Sequence, residues 1–91
     1  MELKDKEYIE YKGLPLVKDG DVIYYGYANA KYILRLDIIM KDPQGNPSMI
    51  FITICPTNDM TKVIKQSTKT GLYDALDLGA EWLQQLYKED N

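Results

Sequence analysis

Ninety-one residues, 45% of them hydrophobic, suffice for one domain around a single core and exclude a second. The lone cysteine, Cys55, excludes an internal disulfide, and the absence of histidine removes the commonest general base and metal ligand. The net charge of −3 is uneven: residues 71–91 hold five acids (Asp74, Asp77, Glu81, Glu89, Asp90) against Lys88, so residues 1–70 are slightly positive but carry no concentrated basic stripe.

No run approaches the roughly 18 apolar residues of a membrane span, and residues 1–6 lack the apolar centre of a signal peptide. With an unpaired cysteine, this points to a cytoplasmic protein with no membrane partner. Residues 1–6 and 89–91 are expected to fray.

Residues 7–12 alternate in the strand sense, with Ile9 and Tyr11 on one side. Gly13 reads as a bulge and Pro15 as the mark of a sheet edge, so residues 14–18 continue the same first strand. Asp19-Gly20 is a type I′ hairpin dipeptide that returns the chain along residues 21–27 and sets Lys18 opposite Asp21.

After a short connection, residues 31–41 form the clearest strand, with Tyr32, Leu34, Leu36, Ile38 and Met40 on one face and Lys31, Arg35, Asp37 and Lys41 on the other. Asp42-Pro43-Gln44-Gly45 has the residue preferences of a type I turn. Residues 48–55 are apolar on both faces, Ile50, Ile52 and Ile54 alternating with Met49, Phe51, Thr53 and Cys55, so this strand lies inside a sheet and needs cover on each side. Residues 61–68 contain threonine, valine and isoleucine and read as a fifth strand in preference to a short helix.

Residues 71–88 form the one long helical pattern, with Leu72, Leu76, Gly79, Leu83 and Leu86 on one stripe and Asp74, Asp77, Glu81, Gln84 and Lys88 opposite. Thr70 is the expected N-cap. A glycine within a helix costs about 1 kcal/mol relative to alanine, which predicts that Gly79 marks a close approach of helix backbone to sheet. Ala75, Leu78 and Trp82 widen the apolar stripe. The elements together predict an α+β fold, a five-stranded antiparallel meander with one C-terminal helix packed on one face.

Chemistry is sparse. Cys55 ends an apolar strand with no base beside it and reads as a structural thiol. Asp19, Asp21, Asp37 and Asp42 match no calcium loop, and the glycines form no phosphate loop. No catalytic residue, cofactor or metal is therefore expected, and the chain reads as non-enzymatic. Residues 67–71 put hydroxyls and Lys69 before a helix N-terminus, an arrangement that suits either an anion or simple capping.

Two functional readings follow. One helix covers one face, so Ile33, Ile39 and Phe51 beyond it, with Leu78 and Trp82 on the helix flank, form a candidate protein interface whose simplest partner is a second copy of the chain. The alternative is a single-stranded nucleic-acid face, with Tyr24 or Tyr25, which point to opposite faces, and Tyr27 and Tyr32 stacking bases near Lys31 and Arg35 while Lys62, Lys65 and Lys69 neutralise phosphates. Several strands followed by one helix resembles the order in single-strand-binding Whirly proteins and related transcriptional coactivators, in topology alone. That resemblance implies a nucleic-acid partner, whereas strand propensity explains the same tyrosines without one.

Overall fold

Among the described residues six strands pair in strict sequence order, every pair antiparallel, and one helix closes over a single side of the sheet. The computed structural model describes residues 6–89, with strands β1 (Lys6–Tyr11), β2 (Leu14–Asp19), β3 (Val22–Tyr25), β4 (Tyr32–Lys41), β5 (Pro47–Pro56) and β6 (Lys65–Lys69) and helix α1 (Leu72–Glu89). Lys6 and Glu89, expected to fray, belong to β1 and α1; the same expectation for residues 1–5 and 90–91 lies outside the described residues.

The strand beyond the five expected comes from Lys12-Gly13. Both residues have positive φ, 49° and 83°, as a type I′ turn requires, and Tyr11 pairs with Leu14. What reads as a bulge in one strand is a hairpin between two. Lysine adopts this conformation at a steric cost that asparagine or aspartate largely escapes, so the dipeptide carries little turn signal. Pro15 consequently lies in β2, between β1 and β3, and β1 takes the edge. Its missing N–H falls at the end of the ladder, opposite Gly26, whose own N–H still donates to the Pro15 carbonyl at 2.9 Å.

The second hairpin is also displaced. Asp19 pairs with Val22, and positive φ in this turn is confined to Gly20, the first of the two loop residues, where a type II′ turn places glycine. Lys18 therefore faces Ile23 and not Asp21. The slip is by two residues in register, so every side chain keeps its face. The third turn matches expectation: the Asp42 carbonyl accepts from Gly45 N–H at 2.9 Å, and its carboxylate accepts from the Gln44 and Asn46 N–H groups.

In β6 the strand reading holds over residues 65–68 and the strand runs on to Lys69, while residues 61–64 stay in the preceding loop. Asp59 holds that loop, accepting from the Thr61 N–H and hydroxyl at 3.1 and 2.6 Å. The helix N-cap is Gly71, whose carbonyl accepts from Ala75 N–H at 3.0 Å, and not Thr70.

The core lies between α1 and the sheet. Leu14, Leu16, Ile23, Tyr25, Leu34, Leu36, Ile50, Ile52 and Ile54 meet Ala75, Leu76, Ala80 and Leu83 of the helix. Gly79 is the closest approach, because a Cβ built there would stand 2.5 Å from Leu34 Cδ2. Hydroxyls fasten the margins of this layer. Tyr87 donates to the Tyr32 carbonyl (3.0 Å) and accepts from Tyr27 N–H (3.2 Å), while Tyr25 donates to the Tyr11 carbonyl (2.6 Å).

Candidate interaction surface

The sheet face turned away from α1 is built by strand alternation, and the register arranges it as a grid. One row crosses five strands through Val17, Tyr24, Arg35, Thr53 and Gln66, and the next through Asp19, Val22, Asp37, Phe51 and Thr68. Ile33 and Cys55 form a third pair beside them. Thr53, Ile33 and Cys55 are buried, Val17, Val22 and Tyr24 half-buried, and Phe51 is 37% exposed. The alternation of Val17 with Leu16 and of Val22 with Ile23 already marks both valines for this face, but only the register puts them in rows with Tyr24 and Phe51.

Two side-chain hydrogen bonds run within this face. Arg35 donates through Nε to Asp37 Oδ2 at 3.0 Å, and Gln66 Nε2 donates to Thr53 Oγ1 at 3.2 Å. Burial pushes the Cys55 thiol above its ordinary pKa, with Arg35 pulling it down and Asp37 up, so the sulfur is held as the neutral, weakly nucleophilic thiol.

The five residues of the candidate protein interface separate in space. Phe51 stands on the helix-free face, Ile33 is buried in it, and Ile39 is unpaired at the bulge between Ile38 and Met40, 49% exposed. Leu78 and Trp82 lie across the sheet, packed against the core, with Lys65 Nζ 4.7 Å above the Trp82 ring. The width of the helical stripe is thus used within the chain, over β5 and β6.

The basic and aromatic set divides further. Tyr25 is fully buried on the helix side with its hydroxyl engaged, so no base can stack on it. Lys65 and Lys69 pair with Ile54 and Ile50 and share the helix side, whereas Arg35 is on the opposite face. Tyr27, Lys31 and Lys62 lie in the loops; Tyr27 stacks on Tyr87 with ring centroids 6.4 Å apart, and Lys31 Nζ is 5.7 Å above the Tyr32 ring. Of residues 67–71, the first three are strand and Gly71 caps the helix.

A smaller apolar groove of about 310 Å³ opens on the helix side, between β1–β3 and the first turns of α1. Ile9, Leu16, Ile23, Leu72 and Leu76 line it, and Tyr73 stands exposed on its rim. At its border Tyr11 and Lys12 both donate to Asp77 Oδ1, at 2.6 and 3.2 Å. The tyrosine hydrogen bond and then the ammonium hold the Asp77 carboxyl below its ordinary pKa, and the same contacts raise Tyr11 and Lys12. Among the described residues no three carboxylate or thiol side chains gather as a metal site, and no helix is long and apolar enough to cross a membrane. No protein family matches the chain, and no characterised protein or solved structure matches it significantly, so the topological resemblance to single-strand-binding folds has no matching structure behind it.

Proposed function

We propose that this chain is a non-enzymatic protein-interaction module that works as a homodimer through its helix-free sheet face. The observation behind the reading is that face itself: Val17, Val22, Tyr24 and Phe51 stand together on it, and among the described residues no second layer of strands or helix packs above them. An antiparallel sheet can leave one face to water, but its side chains there are then mostly polar. This one is mixed, with apolar side chains in both rows.

The edges of the sheet are less suited to a partner. Strand β6 begins and ends with lysine, and β1 carries Glu10 beside Tyr11, charges that discourage strand addition. Association through the face is favoured, and a second copy is the simplest occupant because two-fold homodimers are the commonest soluble assembly. A nucleic-acid partner is supported less well, since stacking residues and cations must share one continuous track and here they are divided between two faces and the loops.

Sedimentation equilibrium at micromolar concentration tests the reading: a dimer of twice the 10.5 kDa chain mass is expected, and a monomer refutes it. Fluorescence anisotropy with a labelled single-stranded oligonucleotide at low salt is expected to show no binding. Salt-sensitive micromolar binding would favour the nucleic-acid reading instead.

A further inference from the structure

We infer that the two copies stack face to face about a two-fold axis passing between Arg35 and Asp37 of β4, so that Arg35 of each copy meets Asp37 of the other. The inference rests on the homodimer reading and assigns the interface its centre and its register.

In an isologous contact the same patch serves both copies, and residue i touches j while j touches i. A face with charge of one sign at its centre repels its own rotated copy. This face has a cation and an anion side by side at its centre, two positions apart on β4 and so roughly 7 Å apart along the strand. Rotation about an axis midway between them lays each charge over its opposite and makes a closed ring of four alternating charges.

The donors suit that ring. Only the Nε–H of Arg35 is engaged among the described residues, on Asp37 Oδ2, which leaves the terminal guanidinium nitrogens and Asp37 Oδ1 for the second copy. The pair is partly buried already, with 33% and 23% of the two side chains exposed, so its desolvation in a dimer is only partial.

Apolar side chains surround the charges. Val22 and Tyr24 flank them on β3, and Phe51 flanks them on β5, an arrangement in which the rim excludes water from the central contact. Six strands at about 4.8 Å spacing span roughly 24 Å, and β4 and β5 are ten residues long, so the face offers on the order of 500 to 800 Å² in projection. A standard interface buries about 800 Å² per partner. Area and apolar flank drive association, and the charge ring sets its register.

The test separates bonds within a chain from bonds between chains. Arg35→Asp and Asp37→Arg each place like charges both within the chain and across the axis, so each variant alone is expected to be monomeric, its fold checked by circular dichroism. Mixed in equal amounts, they restore opposite charges only across the axis, because each chain keeps its own like-charged pair. A heterodimer on mixing, read by sedimentation, supports the assigned axis. Monomers that stay monomeric on mixing overturn it, and so do variants that dimerise as tightly as the parent; in the latter case the homodimer reading survives. A monomeric parent overturns both. If the reversals prevent folding, Arg35→Gln and Asp37→Asn replace them: each is expected to weaken dimerisation at least fivefold and the double variant no more than either single. Independent effects, or none, overturn the axis.

Discussion

Replacing Gly79 by alanine adds one methyl group at the point where the helix backbone lies closest to the sheet. That Cβ would stand 2.5 and 2.7 Å from the two Cδ atoms of Leu34 and 3.1 Å from its Cγ, distances at which something has to move. Leu34 cannot easily retreat, because it is fully buried and paired between Tyr25 and Ile54, both also fully buried. Against this stands the better helix propensity of alanine, about 1 kcal/mol in its favour. Overpacking a dense core costs about 1 to 3 kcal/mol, so the expected net effect is a loss of up to about 2 kcal/mol, and Gly79→Leu should lose more. Urea melts followed through the fluorescence of Trp82 measure it. Combining Gly79→Ala with Leu34→Ala should give less than the sum of the two losses, since the second change makes room for the first. If Gly79→Ala stabilises the fold by the full propensity gain, the helix does not rest on Leu34.

Three further expectations are independent of that contact. Gly26→Ala should cost on the order of 2 to 5 kcal/mol in the same melts, because φ at this position is 118° and the new Cβ would lie 2.7 Å from Leu83 Cδ2 and 2.8 Å from Tyr87 Oη; a neutral effect would mean that the turn is not held against α1. The depressed Asp77 pKa contributes stability that is present above the carboxylate's unfolded value of about 3.9 and lost as pH falls through the lower folded value, while the raised Tyr11 and Lys12 values contribute stability lost as pH rises past about 10. Asp77→Asn should therefore flatten the outer limbs of the pH–stability profile, and an unchanged profile would remove this cluster from the account. Cys55, buried and with its thiol pKa raised, should react with a thiol reagent only as fast as the chain opens; rapid labelling of the native protein would contradict its burial.

Much of this architecture is legible in the sequence because periodicity reports it. The period-two pattern of residues 31–41 and 48–55 places Leu34, Leu36, Ile52 and Ile54 on one face, and Gly79 within an apolar helical stripe marks the close approach. Turns are less legible. Lys12-Gly13 hides a hairpin because a lysine at positive φ is stabilised by the pairing of the flanking strands and not by its own preference, and Asp19-Gly20 suggests a tight turn whose register slips by two. The candidate interface is least legible. Leu78, Trp82 and Phe51 are equally apolar in the sequence, yet two pack on the helix side and one faces away, which depends on how far α1 reaches across β5 and β6. Likewise the alternation shows that only part of the tyrosine set can share a face, but not that Tyr25 is sealed beneath the helix and Tyr27 stacked on Tyr87.

The most direct test of the central claim is an isotope-filtered NMR experiment on a mixture of labelled and unlabelled chains, which detects contacts only between different copies. Intermolecular contacts are expected from Phe51, Val22 and Tyr24 to the same face of the second copy, with none to the exposed side of α1. Intermolecular contacts confined to the helix, or none at all at millimolar concentration, would contradict it.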